Sequence, residues 1–191
     1  ISEPQNWAPA LTILDRLDRY DLAIFTSANA VNRAMPLIQQ RGGIPPRLEI
    51  AVIGKATAQA LARYGIAPTV QPAQGFTSEI LLALPRLQSV AGQTILIVRG
   101  EGGRELLAET LMNRNARVDH AEVYRRERPT IDMTDLLTRW RSGAIHSVVI
   151  TSNESLFNLF DMLGAAGQDV LRRTPVIVVS TRIQHTAEDL G

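Results

Sequence analysis

The sequence contains no cysteine, and this absence removes several classes of chemistry at once. Disulfide bonds, thiolate nucleophiles, zinc sites built on cysteine and iron–sulfur clusters are all excluded for this chain. The three histidines, His120, His146 and His185, share no short spacing typical of metal ligands, so we expect no metal site. A protein without disulfides is typical of a reducing compartment, and we expect a cytoplasmic location.

An excess of one charge and long apolar runs are missing as well. Lysine and arginine together number 20 against 19 aspartates and glutamates, so local groups have to bind any anionic ligand. No apolar run approaches the roughly 18 residues that cross a bilayer, and the opening ISEPQNW lacks the features of a secretion signal. We therefore expect neither a nucleic-acid partner nor a membrane partner. The 45% of hydrophobic residues is enough to form a packed core.

Short β-branched segments alternate with segments whose apolar residues fall at helical spacing. Nearly continuous apolar strands that alternate with helices are typical of a parallel sheet covered on both faces. The sequence therefore predicts an α/β fold. The predicted strands are DLAIFTS, LEIAVIG, TILIVRG, VDHAEVY, HSVVITS and PVIVVS, with PTVQP as one more.

One strand-to-helix corner occurs twice. After Thr26–Ser27, apolar residues fall at helical spacing, and a matching set follows Thr151–Ser152, with every member displaced by the same number of residues. The two sets are Val31, Ala34, Met35 and Ile38, and Leu156, Leu159, Phe160 and Leu163. The match continues where AVIGKATAQALARYG corresponds to VVSTRIQHTAEDLG, and Gly65 or Gly191 closes each helix. We infer two similar parallel-sheet α/β domains.

The repeat gives the predicted domain boundaries. Residues 5–121 form a complete α/β domain, residues 122–129 a charged connector, and residues 130–191 a partial second domain. Two strands are few for an independent domain, so we expect residues outside this sequence to complete the second sheet. Pro36 lies inside the first repeated helix, where it removes a backbone hydrogen bond, and we expect a kink or break near Met35.

A glycine-rich turn, VRGEGGRE, lies between a predicted strand and a predicted helix, with Arg99 and Arg104 beside it. Glycine lets backbone N–H groups approach an anion, and a guanidinium adds a bidentate clamp. The alternative is that the same residues form only a tight turn with ion pairs at a helix end and bind no anion. The third glycine of G-x-G-x-x-G is missing, which disfavours a nucleotide-dependent oxidoreductase with Asp119 as its ribose ligand.

Hydroxyl residues begin both repeated helices, and a tyrosine lies on the connector. Serine and threonine are typical N-caps, and Thr151 with Glu154 has the spacing of a capping box. If the two domains face each other, the same corners offer helix N-termini to an anion from both sides of a cleft.

Tyr124 is explained either by packing at a domain junction or by donation of a proton into such a cleft.

Five segments follow one another in a specific order: FTSANAV, AVIGKATAQAL, ILIVRGEGGRELLAETL, AEVYRR and VVITSNESL. Together they resemble the uroporphyrinogen-III synthase family over essentially the whole chain. The resemblance implies two α/β domains joined by a two-stranded connector, with the ligand cleft between them. It also implies that the family's amino-terminal strand and helix and its final strand and helix are absent from this chain.

The resemblance further implies a lyase without cofactor or metal, which cyclises hydroxymethylbilane with loss of water and inversion of ring D. The small-molecule partner is then a linear tetrapyrrole rich in carboxylates. We expect a monomer that receives this substrate from the preceding enzyme of tetrapyrrole biosynthesis. A non-catalytic two-domain binder of a small polyanion stays open as the alternative.

Roles for individual residues also follow from the resemblance. Tyr124 matches the connector tyrosine that is proposed to help the hydroxyl group leave. The matching substrate-binding positions are Ser27, Ala28, Gly54, Thr57, Arg99, Gly102, Gly103, Arg104, Ser152, Asn153, Ser180 and Thr181. Ile183 departs from the pattern, since many relatives carry a hydroxyl residue there, and a symmetric pair of catalytic threonines with Thr57 is not expected.

Overall fold

The computed structural model describes residues 1–103 and 105–191, which fall into two units, Ile1–Glu127 and Arg128–Gly191. The strands are β1 (Leu22–Phe25), β2 (Glu49–Val52), β3 (Thr94–Gly100), β4 (Arg117–Tyr124), β5 (Val148–Ile150) and β6 (Val176–Val178). The helices are α1 (Ala8–Leu14), α2 (Ala28–Gln40), α3 (Lys55–Ala62), α4 (Ser78–Ala83), α5 (Pro85–Gln88), α6 (Leu106–Asn113), α7 (Thr134–Arg141), α8 (Asn153–Arg172) and α9 (Thr181–Asp189), with a short 3₁₀ turn at Leu17–Arg19.

The first unit contains a four-stranded parallel sheet in the order β2-β1-β3-β4. Strand β1 is an inner strand, and all four of its residues are buried. Leu22 lies beside Glu49 of β2 on one side and beside Ile95 of β3 on the other. A strand covered by helices on both faces has no solvent-facing position, and this explains its continuous apolar sequence.

Alternate residues of β1 face two different cores. Phe25 belongs to one core together with Val31 of α2 and Leu61 of α3. Ile24 belongs to the other, together with Leu111 of α6. The helices that follow β1 and β3 therefore lie on opposite faces of the sheet, and the order of the strands reverses between these two neighbours.

The second unit contains the two-stranded parallel sheet β5-β6 and two small cores. Trp140 of α7 and Leu163 of α8 belong to one core, and Ile150 of β5 and Ile183 of α9 belong to the other. Helix α8 is interrupted at Gly164, whose φ of 61° and ψ of 178° suit glycine rather than a residue with a side chain.

One face of the β5-β6 sheet is exposed. Val149 and Ile177 lie opposite each other in the parallel register. They are 62% and 54% exposed, whereas the neighbouring Ile150 is buried against the helices. The second sheet therefore has one covered face and one uncovered apolar face in this chain.

The predicted α/β fold is confirmed, and six of the seven predicted strand segments contain a strand. The strand expected at PTVQP is wrong: within this segment Val70 forms an isolated bridge with Ala51, and the flanking prolines remove backbone donors. The break expected near Met35 is also wrong. Helix α2 continues through Pro36, which is exposed while the apolar stripe of the helix is buried.

Other details concern the ends of elements. Gly65 (φ 72°) and Gly191 (φ 93°) follow helices α3 and α9 in the left-handed conformation, as predicted. Strand β4 continues to Tyr124, and the next residue, Arg125, forms an antiparallel bridge with Ser2. No helix in the part of the chain that the structure describes is long and apolar enough to cross a membrane.

Candidate functional site

The candidate site lies in the first unit, at the carboxyl ends of β1, β3 and β4. Because the helices after β1 and β3 leave on opposite faces, a crevice opens between the ends of these strands. A cavity of about 260 Å³ occupies this position. Its lining includes Ser27, Arg99, Gly103 and Tyr124, all of which the sequence predicts as site residues.

The corner after β1 is fixed by hydrogen bonds to β3 and to the first turn of α2. Thr26 donates both its backbone N–H and its hydroxyl to the carbonyl of Val98, at 3.1 and 3.2 Å. Ser27 is the N-cap of α2, and its Oγ accepts the N–H of Ala30 at 3.1 Å. The same Oγ lies 3.1 Å from Oη of Tyr124, so one serine contacts both the helix and the tyrosine.

Tyr124 reaches this serine because of an irregularity between β3 and β4. The register shifts after Arg99, which pairs with Glu122, so that Gly100 pairs with Tyr124. Such a bulge re-aims a side chain, and here Val123 and Tyr124 both join the core that contains α2. Tyr124 is consequently only 3% exposed.

The ring of Tyr124 lies against a glycine. A Cβ atom added to Gly100 would lie 2.6 Å from two atoms of the ring, which is closer than real Cβ contacts. The turn that follows is tied to the end of β4, because the N–H of Glu101 donates to the carbonyl of Tyr124 at 2.8 Å. The Arg126 guanidinium, which also lines the cavity, lies 6.0 Å from the centre of the ring. Backbone, helix cap and bulge together hold the phenol in place.

Arg99 is a buried cation at the edge of the same cavity. It is 5% exposed, and its Nη1 donates to Oε1 of Glu105 at 3.0 Å. Its Nη2 is buried and lacks a hydrogen-bond partner among the described residues. Gly103 lies directly over this group, since a Cβ there would be 2.7 Å from Nη2. A guanidinium keeps its charge, so the site contains a fixed positive group with an unused donor.

His120 is a neighbour of this cation that the sequence did not single out as a site residue. Burial and the nearby Arg99 guanidinium hold the pKa of His120 below its usual range, so the imidazole is neutral near pH 7. Its Nε2 is buried without a partner among the described residues. In the folded sheet His120 lies on β4 beside Ile97 of β3. Only this register identifies it as a neighbour of the site, and the register follows from the folded sheet rather than from the sequence.

None of the other predicted site residues that the structure describes in the first unit lines this cavity. Ala28 begins α2, and Gly54 is the N-cap of α3 in extended conformation. Thr57 is buried in the first turn of α3, and neither it nor Gly54 is among the residues that line the cavity. Gly102 is exposed with a φ of 66°, which favours glycine. Arg104 lies outside the described residues.

The second unit repeats the same helix caps. Ser152 (φ −155°, ψ 154°) accepts the N–H of Ser155 at 3.1 Å, and Ser180 (φ −159°, ψ 153°) accepts the N–H of Ile183 at 3.4 Å. The backbone angles of Ser27, −159° and 161°, are nearly the same. The repeated corner of the sequence is therefore a repeated N-cap.

The capping box expected for Thr151 and Glu154 is wrong, because the helix is capped one residue later by Ser152. Asn153 and Thr181 are the first residues of α8 and α9. Asn153 has a buried Oδ1 without a partner among the described residues, whereas Thr181 is exposed.

Asp119 does not fit the nucleotide interpretation. Its carboxylate accepts the hydroxyl of Tyr20 at 2.8 Å, in a cavity that includes Thr94 and Arg117 at the amino ends of their strands. The glycine-rich turn lies at the opposite end of the sheet. Over the described residues, no group of three or more histidine, aspartate and glutamate side chains is arranged to hold a metal ion.

Comparison with known proteins gives one consistent result. The family model described as uroporphyrinogen-III synthase HemD matches residues 1–191. A uroporphyrinogen-III synthase of Salmonella typhimurium is 37% identical over 185 residues, which cover 94% of this chain and 75% of that protein. The enzyme of the same name from Escherichia coli is 36% identical over 180 residues, covering 93% and 73%.

Solved structures show a similar fold. Uroporphyrinogen III synthase from the extremely thermophilic bacterium Thermus thermophilus superposes with a TM-score of 0.56 at 19% identity, covering 100% of this chain and 75% of that one. The uroporphyrinogen-III synthetase of Helicobacter pylori gives a TM-score of 0.51 at 16% identity, covering 91% and 85%.

Proposed function

This chain belongs to the uroporphyrinogen-III synthase family, and on that premise we propose how its residues act on the substrate. It is a lyase of heme biosynthesis, and its reaction cyclises hydroxymethylbilane to uroporphyrinogen III with loss of water and inversion of ring D. The observation that carries the proposal is the cavity where Tyr124 Oη, a helix N-terminus and the buried Arg99 lie together.

Tyr124 acts on the hydroxyl group that leaves. The bond between the hydroxymethyl carbon and its oxygen breaks, the electron pair goes to the oxygen, and the oxygen takes the proton of Tyr124 and leaves as water. The remaining azafulvene cation is attacked by the substituted carbon of ring D. The resulting spiro intermediate fragments and closes again with that ring inverted. The substrate ionises readily, so orientation by the protein contributes as much as proton transfer.

The carboxylates of the substrate are bound by free backbone N–H groups and by fixed cations. In the first unit we assign this role to the start of α2 at Ser27 and Ala28 and to the start of α3 at Gly54, together with the hydroxyl group of Thr57. Arg99, Gly102 and Gly103 of the glycine-rich segment join them, and the family resemblance adds Arg104. The positive end of a helix dipole and unpaired N–H groups suit an anion. The unpartnered Nη2 of Arg99 supports this assignment.

The second unit supplies the corresponding groups at Ser152–Asn153 and Ser180–Thr181. We place the substrate between the two domains, which the connector 122–129 joins. The nearly identical backbone angles of Ser27, Ser152 and Ser180 support this placement, because each helix start offers the same arrangement of N–H groups. The enzyme is proposed to be a cytoplasmic monomer that receives its substrate from the preceding enzyme.

The test uses the full-length protein and hydroxymethylbilane that the preceding enzyme generates in the same vessel. The products are oxidised, and the uroporphyrin isomers are separated by chromatography. We expect a dominant type III isomer, because uncatalysed closure leaves ring D unturned and gives type I. A product identical to the enzyme-free blank, together with tight binding of the tetrapyrrole, would instead favour a non-catalytic binder of polyanions.

A further inference from the structure

Ser27 has two different neighbours at its hydroxyl group. Its Oγ accepts the N–H of Ala30 at 3.1 Å and lies 3.1 Å from Oη of Tyr124. A serine hydroxyl has one donor and two acceptor positions. The helix cap uses one acceptor position, so the proton of Ser27 stays available for Tyr124.

We infer that Ser27 is a positioning residue that donates its proton to Oη of Tyr124 and thereby directs the phenolic proton of Tyr124 toward the leaving hydroxyl group. This inference rests on the role of Tyr124 in the proposed function. With Oη already accepting from Ser27, the proton of the tyrosine points away from the serine. The ring has little freedom to turn, because it is buried and lies against Gly100.

The same contact stabilises the charge that the step creates. When Tyr124 gives its proton to the departing water, Oη becomes a phenolate that still accepts the hydrogen bond from Ser27. This oxygen lies at the amino-terminal end of α2, where the helix dipole favours negative charge. Ring closure releases a proton from the attacking pyrrole carbon, and the phenolate takes it up, so the cycle needs no other reactant.

The other helix caps show that this second contact is specific to Ser27. Ser152 has the same backbone conformation and the same bond to an N–H three residues later. Its hydroxyl, however, pairs with Oγ of Ser155 at 2.8 Å. Capping therefore does not by itself account for the contact with Tyr124.

The test is a double-mutant cycle in the full-length protein with Ser27→Gly and Tyr124→Phe. Glycine is tolerated at an N-cap, so S27G removes the hydroxyl at a small cost in stability. We expect Y124F to lower kcat about tenfold or more and S27G about three- to tenfold, with KM nearly unchanged. In the Y124F background, S27G should have no further effect on kcat, because the serine acts through the tyrosine.

Two further variants separate positioning from capping. Ser27→Thr keeps both the cap and the donor and should restore kcat. Thr77→Gly makes a comparable change at the N-cap of α4, where Oγ1 accepts the N–H of Ile80 at 3.3 Å. It should lower stability by a similar amount and leave kcat unchanged.

The outcomes distinguish the two proposals. If S27G and Y124F lower kcat by independent factors that multiply in the double variant, the inference about Ser27 is overturned while the role of Tyr124 stands. If Y124F has the kcat of the unmodified enzyme, Tyr124 is removed from the mechanism and the inference fails with it. Should S27G fold poorly, the same cycle with Ser27→Asp gives the answer, because aspartate caps a helix and has no proton to donate to Tyr124. Thr77→Asp is its control.

Discussion

The side chain of Tyr124 is held by direct contact with the backbone of a neighbouring strand. Because a Cβ at Gly100 would lie 2.6 Å from the ring, Gly100→Ala must displace the tyrosine. We expect turnover to fall about tenfold or more and the free energy of unfolding to fall by about 1–3 kcal/mol, as in other overpacked sites. The isomer assay and chemical denaturation measure the two effects.

The control for this variant is Gly92→Ala. Gly92 has a φ of 76° and open space around its Cα, so alanine introduces backbone strain without touching the tyrosine. It should lose stability and keep its turnover. Full turnover in Gly100→Ala would show that the ring position is not important for the reaction.

Arg99 offers a second test, because its guanidinium is buried with one unused donor. Arg99→Lys keeps the charge and loses the planar fork that binds a carboxylate bidentately. We expect KM for the tetrapyrrole to rise about tenfold, with the fold retained. Arg86→Lys is the matched control, since Arg86 binds Glu49 through two hydrogen bonds of 2.8 and 3.0 Å and does not line the cavity. An equal KM in both variants would remove Arg99 from substrate binding.

Tyr20 gives a pH dependence of stability. Burial, together with its hydrogen bond to Asp119, raises the pKa of Tyr20 well above its ordinary value of 10.0. Above pH 10 the unfolded chain loses this proton while the folded chain keeps it, so the unfolded state binds fewer protons. The free energy of unfolding should therefore fall as the pH rises above 10, with a slope of up to about 1.4 kcal/mol per pH unit from this group.

The measurement is chemical denaturation at a series of pH values between about 9 and 11. Tyr20→Phe should lose this part of the slope. Tyr64→Phe, which leaves the Tyr20–Asp119 bond intact, should retain it. Identical slopes in Tyr20→Phe and the unmodified chain would contradict the assignment.

Among the elements, helix α2 contains a proline that it does not need for packing. Its buried stripe includes Val31 and Ile38, whereas Pro36 is exposed and leaves the carbonyl one turn earlier without its helical donor. Pro36→Ala should raise the free energy of unfolding by about 1–3 kcal/mol, seen as a higher Tm. Pro85→Ala is the control, because Pro85 begins α5, where proline is favourable, and it should give no gain. A lower Tm for Pro36→Ala would contradict this interpretation.

The strands and the repeated caps could be predicted from sequence, because continuous apolar runs and serine at helix starts are local signals. The prediction of a strand at PTVQP failed because the prolines at both ends have no N–H to donate, so the pairing stops at the single bridge of Val70 with Ala51. The contacts of the site could not be predicted in the same way. The 3.1 Å approach of Ser27 to Tyr124 depends on the register shift between β3 and β4, and this shift has no signature in the sequence.

Over the whole molecule, the two units differ in how well their sheets are covered. β1 and β3 are inner strands whose residues are almost all buried, whereas Val149 and Ile177 on β5 and β6 are exposed. We expect backbone amides of β1 and β3 to exchange with solvent at least about a hundredfold more slowly than those of β5 and β6 in this chain. Hydrogen exchange followed by mass spectrometry would measure this. Equal protection in both sheets would show that they unfold as one cooperative unit.

Because the strands of the first sheet are parallel, its two ends differ: one holds all the carboxyl ends of the strands and the other all the amino ends. All four strands end on the side where Ser27, Arg99 and Tyr124 lie, and they begin at the opposite end of the sheet, near Thr94 and Arg117. The chain has no thiol of its own, so a single cysteine introduced at the exposed Arg117 would be its only site for thiol labelling. A fluorophore or a solid support attached there would leave the opposite end, where we propose that the substrate binds, uncovered, so that binding and turnover could be followed on single immobilised molecules.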